Sequence, residues 1–377
     1  MKKTALTEKA YIALFFLLLV IPALSLNRDK EAVSEGENRV LKSFPEIISD
    51  GRFNTGFPSE FEEYLDDRIG FRNDLIYANA FLQYRVFHRM ENPARYRLGP
   101  GGEFNIIEND MLKTYQHKNL LSDKKLNRIT DGFERMNDYL SGKGCKLYYM
   151  QCWDKQSIYP EYFPESVLQY GDKSRTMQVL DALAEKTDVA VVPLIDIYNA
   201  QRDNYEIYSR FGEPVHWTDR GAFMSYRALM ERINEDHGGR FRILGEEDYD
   251  IELSDCGMDF FGGAVYHSNI SECFILKNPR AHEDDALFPD IGSYSGNKKI
   301  VYINESVGND TKVLVIGNSF MADYILDDMA ESFYETAMVW ADPDSRIKEI
   351  TEAYAPDIVV IEMVERYTDY DGIMGFE

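Results

Sequence analysis

Cysteine, tryptophan and histidine are scarce in this chain of 377 residues, which contains four, three and six of them respectively. The spacing of the four cysteines is not that of a small scaffold held together by disulfides. Cys145 and Cys152 bracket one predicted strand, about 23 Å long, which is beyond bridging distance. Cys256 and Cys273 can pair only if the chain doubles back at Gly262-Gly263. No Cys or His spacing indicates a metal site, so we predict neither a metal nor another cofactor.

Basic residues and long apolar runs are also limited. The 41 Lys and Arg are outnumbered by 65 Asp and Glu, and the net charge of −24 makes nucleic acid an unfavourable partner. The apolar stretch at residues 11–26 would span about 24 Å as a helix, short of a ~30 Å hydrocarbon core. Because lysines precede it, residues 1–26 predict a signal peptide cleaved near Ala23-Leu-Ser25, or a signal anchor. Either one implies export of the rest of the chain.

The remaining composition predicts a globular protein with a sizeable core. It contains 25 Tyr and 22 Phe, and no internal repeat or low-complexity tract is visible. Residues 27–97 are interpreted as a charged juxtamembrane segment with a helical lead-in. The turn formers of Leu98-Gly-Pro-Gly-Gly102 mark the start of a main domain at residues 98–377. Within it, residues 240–310 are irregular and acidic, and we interpret them as an insertion with some β-structure.

Helical and strand patterns alternate in the main domain, which predicts a parallel sheet sandwiched by helices. Ser122 is expected to cap the first helix, and Gly142 and Gly144 to end it. The other predicted helices cover residues 172–185, 218–233 and 345–354. The predicted strands cover residues 146–151, 189–195, 313–316, 337–340 and 357–363.

The strand Val313–Ile316 runs directly into Gly317-Asn318-Ser319. Beyond it, apolar residues recur at intervals of four, which predicts a helix carrying Met321, Ile325, Met329 and Phe333 on one face. Ser319 would then lie at the carboxyl end of a strand, where α/β sheets bind ligands and helix N–H groups can stabilise negative charge. A nucleophile suits this position, and so does a simple helix cap.

A serine nucleophile needs a base, and usually a carboxylate to orient that base. Among the six histidines, His216 stands out because Glu213 to Gly221 forms a loop that leads into a predicted helix. His267 is a weaker candidate, and the others lie in polar or helical contexts. From spacing alone, His216 is either a catalytic base or a structural residue packed on Trp217.

Two motifs resemble a known family. His216-Trp-Thr followed by Gly221-Ala-Phe resembles the D-x-H-W-[ST]-x-x-G-A signature of the SGNH hydrolase-like alginate O-acetyltransferase group (AlgJ/AlgX type) and the related bacterial DHHW proteins. Gly317-Asn-Ser-Phe320 resembles that group's G-D-S-F serine block. Shorter pieces agree in order and spacing: Ser34 to Arg39, Phe61 to Arg72, Leu98 to Phe104, Ile158 to Glu161, Pro356 to Glu362 and Val364 to Arg366. The resemblance implies an α/β fold, an SGNH-like three-layer α/β/α domain with a mostly parallel sheet.

Two departures from the family pattern bear on activity. Pro214 stands where the signature has its catalytic aspartate, so Glu213 becomes the nearest candidate for the acid. Asn318 replaces the aspartate of the serine block. A lost orienting carboxylate can cost about 10⁴ in rate, so an inactive relative remains one of the readings of the sequence.

The resemblance implies an extracytoplasmic O-acyltransferase that acetylates a surface or secreted polysaccharide. Ser319 would form an acyl-serine, His216 would act as base, and Glu213 would orient His216. Backbone N–H groups at Ser319 and the start of its helix would supply part of the oxyanion hole, and Gly317 and Asn318 are further oxyanion or substrate candidates. The group's members work with a multi-pass membrane acyltransferase that supplies the acyl group, and the N-terminal segment would hold this chain at the membrane.

Three further residues are candidates for substrate contact. Two other functions also fit the sequence. Lys155 and Arg366 follow predicted strands at the sheet rim, so each either contacts substrate or is a solvated loop residue. Trp217 is a candidate because it adjoins His216. Water as the acceptor would make the protein a carbohydrate esterase. Loss of the acid would make it a silent polysaccharide-binding scaffold of an acylation complex.

Overall fold

The computed structural model describes residues 2–29, 32–34, 39–49, 51–90, 92–108, 110–260, 263–286, 288–289, 299–340, 346–367 and 370–376. The helices are α1 (Lys2–Leu24), α2 (Phe57–Arg68), α3 (Arg72–Arg85), α4 (Met111–Tyr115), α5 (Asp123–Gly142), α6 (Lys155–Ile158), α7 (Arg175–Lys186), α8 (Leu194–Gln201), α9 (Asp219–His237), α10 (Ser319–Ala322), α11 (Leu326–Ala330), α12 (Arg346–Tyr354) and α13 (Asp371–Met374). The strands are β1 (Val33–Ser34), β2 (Arg39–Val40), β3 (Ile48–Ser49), β4 (Arg52–Phe53), β5 (Tyr96–Leu98), β6 (Phe104–Ile106), β7 (Lys146–Cys152), β8 (Ala190–Val192), β9 (Tyr249–Asp255), β10 (Asp259–Phe260), β11 (Val265–Tyr266), β12 (Ile270–Leu276), β13 (His282–Glu283), β14 (Lys299–Ile303), β15 (Lys312–Ile316), β16 (Glu335–Val339) and β17 (Ile358–Val364).

The chain divides into two compact units. The first comprises Met1–Glu91 and Asp259–Tyr266 and contains α1 to α3. The Arg68 side chain ties its connections together by donating to the carbonyl oxygens of Asn27 and Lys42, at 3.3 and 2.6 Å. Within the described ranges, no helix combines the length and apolar character that a membrane crossing requires. The membrane segment expected at residues 1–26 is therefore not supported.

The second unit, Asn92–Met258 with His267–Glu377, is built on a seven-stranded sheet. Its strand order is β13-β14-β16-β15-β17-β7-β8. The five strands from β16 to β8 are parallel to one another, and β13 and β14 add an antiparallel edge. The α/β class and the mostly parallel sheet expected from the sequence are confirmed.

Helices cover both faces of this sheet, which explains why its strands are apolar on both sides. Val313 and Val315 of β15 point into one core with α9, α10 and α11. Leu314 and Ile316 point into a second core with α5, α7 and α12. Since β15 and β17 are buried on both faces, their apolar runs, interrupted in β17 by Glu362, made them the easiest strands to predict.

Several elements differ from their predicted bounds. The strand expected at residues 189–195 ends at Val192, because Pro193 has no N–H for the ladder and α8 starts at Leu194. The single helix expected after Ser319 is two short helices, α10 and α11. The break falls before Ile325, which leaves helical geometry with φ −130° yet stays in the core. Gly262 and Ser345, used in the predictions of a turn and a helix start, lie outside the described residues.

The predicted insertion contains β-structure, as expected, but part of it belongs to the main sheet. Strand β14 pairs with β16 as an antiparallel neighbour. Strands β9 and β12 form a separate antiparallel ribbon. Near one end of it, the Sγ atoms of Cys256 and Cys273 lie 4.0 Å apart as free thiols. Cys145 and Cys152 are buried and free, at opposite ends of β7, as their spacing predicted.

Candidate active site

Three neighbouring parallel strands end at one edge of the sheet and deliver the candidate residues. Asn318 and Ser319 follow β15, Glu365 and Arg366 follow β17, and Asp154 and Lys155 follow β7. Carboxyl ends of adjacent parallel strands open the crevice in which α/β proteins bind ligands. Segments separated by as many as 212 residues in sequence therefore meet at this edge.

Ser319 is the first residue of α10, and its side chain is not the helix cap. The cap is Asn318, whose Oδ1 accepts a hydrogen bond from the Phe320 N–H at 3.0 Å. The Ser319 hydroxyl is instead hydrogen-bonded to His216 Nε2, at 2.8 Å. The capping role that the sequence left open is thus filled by the neighbouring residue.

His216 lies two residues before Thr218, which caps α9 by accepting from the Gly221 N–H at 3.2 Å. His216 Nδ1 is 3.0 Å from Glu213 Oε2. The two ring nitrogens of His216 therefore contact the Glu213 carboxylate on one side and the Ser319 hydroxyl on the other. The ring centroid lies 4.8 Å from that of Phe320 and 5.5 Å from that of Tyr324. These aromatic contacts fix the plane of the imidazole.

Glu213 reaches the histidine despite its displacement by one position from the family's aspartate. Its Oε1 accepts from the Val215 N–H at 2.9 Å, and its Oε2 accepts from the His216 N–H at 2.6 Å. Pro214 has no N–H, so the carboxylate binds the next two N–H groups and folds back beneath the imidazole. The longer glutamate side chain therefore spans the offset that Pro214 introduces.

The serine block is braced from beneath by Glu362 of β17. Glu362 accepts from the Asn318 backbone N–H at 2.8 Å and from Asn318 Nδ2 at 3.0 Å. Burial raises the pKa of the Glu362 carboxyl to about 7, and the hydrogen bonds from Asn318 act against that rise. A Cβ on Gly317 would lie 2.9 Å from Glu362 Oε2, so this close approach requires glycine.

Lys155 and Arg366 are not the solvated rim residues that the sequence suggested as the alternative to substrate contact. Lys155 is 1% exposed, and its Nζ donates to the carbonyl oxygens of Phe104 and Arg210 at 2.6 and 3.1 Å. Burial lowers the pKa of this amine to about 7. Arg366 is 2% exposed and pairs with the buried carboxylate of Asp154. Both cations donate to backbone carbonyl oxygens of segments that are distant in sequence. They therefore hold those segments in place.

Trp217 is buried at 2% exposure and stands edge-on to Phe320, with ring centroids 4.8 Å apart. It therefore packs the histidine loop against the serine loop. Its role as a substrate contact stays a prediction.

Sequence reasoning did not single out Glu362, Asp154 or Tyr324. Glu362 carried a usable signal, since it is a charged residue within an otherwise apolar strand, and such a residue needs a buried partner. Asp154 and Tyr324 carried none, because their importance depends on contacts with residues far away in the chain.

The hydrogen-bonded series of carboxylate, imidazole and hydroxyl has the geometry of a Ser-His-acid site on a mostly parallel α/β sheet. This is the class of site that supports acyl transfer through a serine nucleophile.

Comparison with known families agrees with this class. Residues 112–253 match the family described as "SGNH hydrolase-like domain, acetyltransferase AlgX". The matched range contains Glu213 and His216 and ends before Ser319. The family resemblance is thereby confirmed, and of the two motifs that carry it the match includes the one at His216.

One solved structure is similar in fold at low sequence identity, and two others match with TM-scores below 0.5. A structure of Bacillus cereus PatB1 with a sulfonyl adduct is 14% identical with a TM-score of 0.51, covering 74% of this chain and 99% of that one. A DHHW family protein from Eubacterium siraeum is 15% identical with a TM-score of 0.48, covering 72% and 92%. The O-acetyltransferase domain of Pseudomonas putida AlgJ is 14% identical with a TM-score of 0.43, covering 72% and 91%. No curated protein matches the chain in sequence.

Proposed function

We propose that this chain is an extracytoplasmic O-acyltransferase that moves an acetyl group onto a hydroxyl of a cell-surface or secreted polysaccharide. The observation that carries the proposal is the pair of contacts at His216, 3.0 Å to Glu213 and 2.8 Å to Ser319. The match of residues 112–253 to an acetyltransferase family supports the choice of reaction. The finer assignment to a three-layer SGNH-like domain belongs to the same proposal.

The proposed reaction has two half-reactions. In the first, His216 Nε2 takes the Ser319 proton as Oγ bonds to the acetyl carbonyl carbon. The bond to the donor's leaving oxygen then breaks, and that oxygen receives the proton from His216. In the second, a sugar hydroxyl gives its proton to His216 and attacks the acetyl-serine. Ser319 leaves and recovers the proton, so atoms and charge balance.

Glu213 would stabilise the imidazolium that forms in each half-reaction and hold its Nδ1–H. Oxyanion stabilisation would come from the backbone N–H of Ser319. The neighbouring N–H groups of Asn318 and Phe320 already donate to Glu362 and to Asn318 Oδ1, so they are weaker candidates. Among the oxyanion candidates expected from the sequence, the Ser319 N–H is therefore preferred to that of Asn318.

The donor and the location rest on the sequence. The lysines and apolar stretch of residues 1–26 support export, and the family resemblance supports an acyl donor supplied by a multi-pass membrane acyltransferase. The acceptor is a polysaccharide hydroxyl, and the acidic charge of the chain argues against nucleic acid.

The test incubates the purified full chain with an activated acetyl ester, with and without an oligosaccharide acceptor. We expect acetylated oligosaccharide in the presence of acceptor, and none from Ser319→Ala. Ser141→Ala, which changes an exposed serine on α5, serves as the matched control and should retain activity. Oligosaccharide acetylation by Ser319→Ala at the control's rate would contradict the proposal.

A second candidate, carbohydrate esterase, is favoured by the openness of the site. The side chains of His216 and Glu213 are 21% and 43% exposed, so water can reach the base. The same incubation separates the two enzymes. Release of free acetate as the sole product, whatever oligosaccharide is supplied, would assign the esterase activity and exclude the transferase.

A further inference from the structure

Arg366 contacts both halves of the candidate active site from beneath. Its Nη2 donates to the Val215 carbonyl oxygen at 3.0 Å, and Val215 immediately precedes His216. Its guanidinium carbon lies 5.4 Å from the centroid of the Phe320 ring, and Phe320 immediately follows Ser319. One planar group therefore touches the residue before the base and the residue after the nucleophile.

Asp154 holds this guanidinium in its orientation. Nη1 of Arg366 bonds to Asp154 Oδ1, and both side chains are 1% exposed. A charge-assisted bond between buried groups is directional and is weakly screened by solvent. Because the guanidinium is a rigid fork, fixing Nη1 also fixes where Nη2 and the flat face point.

The hydrogen bond between His216 and Ser319 depends on this arrangement, and it tolerates little change in the distance between the two side chains. His216 Nε2 and Ser319 Oγ come from different loops, 103 residues apart, and are joined at 2.8 Å. Within that pair, Ser319 is positioned from one side by Asn318 and Glu362. The histidine loop needs its own connection to the serine loop. Trp217 and Arg366 both touch Phe320, in addition to the contact that the His216 ring makes with it.

We infer that Arg366 is a positioning residue for acyl transfer, which sets the distance between His216 and Ser319 by holding Val215 and the Phe320 ring against one guanidinium. This inference rests on the proposed function. It replaces the substrate-binding role first considered for Arg366, since the side chain is engaged from three directions beneath the site. A displacement of about 1 Å between reacting groups can cost on the order of 10² in rate, which sets the expected effect.

The test compares full-length variants with an activated acetyl ester as substrate. Removing Arg366 alone would leave the Asp154 carboxylate buried without its partner, so the variant is Asp154→Asn combined with Arg366→Met. Asp154→Asn alone keeps the guanidinium but removes the carboxylate that orients it, so an intermediate loss is expected. Arg135→Met is the control, because Arg135 also donates two hydrogen bonds to backbone carbonyls, of Phe376 and Met374, but from α5 on the far core.

We expect kcat of the double variant to fall on the order of 10², with a KM change of less than about threefold, while Arg135→Met keeps both values. The ¹⁵N NMR spectrum of the His216 ring should show loss of the Nε2 hydrogen bond to Ser319 in the double variant and no change in Arg135→Met, with Asp154→Asn between the two. Wild-type kcat together with an unchanged His216 spectrum in a folded double variant would overturn the inference.

Two further outcomes are separated by the same design. A wild-type chain without acyl turnover contradicts the proposed function, and the His216 spectra then decide the positioning role by themselves. Should the double variant fail to fold, Arg366→Lys is measured instead, because an ammonium retains the charge near Asp154 but lacks the fork. We expect it to lose kcat, and wild-type kcat and His216 signals in Arg366→Lys would overturn the inference.

Discussion

At the scale of single residues, the main departure of this chain from the family pattern that it resembles concerns the acid. Glu213 stands one position earlier than the family's aspartate, and Pro214 occupies the expected place. Three hydrogen bonds compensate, since the carboxylate accepts from two backbone N–H groups and from His216 Nδ1. One extra methylene and the absence of an N–H on Pro214 are enough to restore the contact. The shift therefore preserves the geometry that orientation of the base requires.

Glu213→Gln tests whether this carboxylate orients the base. An amide can still accept from the backbone, but it cannot stabilise the imidazolium, so kcat with an activated ester should fall by about 10² to 10⁴. Thermal stability should change little. Glu165→Gln, at an exposed position, is the control. Retention of more than half of wild-type kcat by Glu213→Gln would remove Glu213 from the mechanism.

At the scale of secondary-structure elements, the junction of β15 and β17 explains the second departure. Asn318 faces Glu362, which accepts from both its backbone and its side-chain N–H groups. An aspartate at position 318 would place a second acceptor about 3 Å from a buried carboxylate, and one of the two acids would have to keep its proton. Asparagine suits this partner better than the aspartate of the family's serine block does.

Asn318→Asp should therefore lower the free energy of unfolding by about 1–3 kcal/mol above neutral pH, and by less in acid, where the shared proton is retained. Denaturant titration of Asn318→Asp, Glu362→Gln and the double variant forms a double-mutant cycle. We expect the double variant to regain most of the stability that Asn318→Asp loses. Additive losses would mean that residues 318 and 362 are energetically independent.

The elements that sequence predicted well are those whose pattern has one explanation. Strands β15 and β17 are buried on both faces, so a largely apolar run has no helical alternative of that length. The prediction of a single helix after Ser319 was wrong. Two short helices keep Met321, Ile325 and Met329 in one core as well as one long helix would. Strand β14 was hidden in an irregular acidic segment, because its place is set by pairing with β16.

The residues of the candidate site also fall into those that the sequence could predict and those that it could not. Ser319 and His216 could be found because each ends a recognisable pattern, and their contact is observed at 2.8 Å. The burial of Lys155 and Arg366 could not be found, because a charge that follows a strand is normally solvated. Their environment is set by partners from distant segments, such as Arg210 for Lys155 and Asp154 for Arg366.

At the scale of the whole molecule, buried ionisable groups of both signs make stability depend on pH. Burial raises the pKa values of Glu362 and Glu365 from 4.5 to about 7. Between those values the unfolded chain releases protons that the folded chain keeps, so stability falls as pH rises. Burial lowers the pKa of Lys155 from 10.5 to about 7. Between pH 7 and 10.5 this lysine is protonated in the unfolded chain but neutral in the folded chain, so its contribution to stability rises with pH.

We therefore expect the contribution of these groups to the free energy of unfolding to be smallest near pH 7. Urea titrations across the range, at about pH 5, 7 and 9, would measure it. Lys155→Met should flatten the alkaline side and Glu362→Gln should reduce the acid-side slope, each relative to the wild type. Identical pH profiles for the wild type and both variants would contradict this assignment of buried charge.

The whole-molecule account depends on one event, the formation of an acyl group on Ser319. Rapid quenching of the full chain with an activated acetyl ester, followed by peptide mass spectrometry, detects that event directly. The account predicts a peptide containing Ser319 that carries one acetyl group, which is lost when an oligosaccharide is added and is absent from His216→Ala. Turnover of the ester with no acetylated Ser319 at any time, and with the same rate in Ser319→Ala, would contradict it.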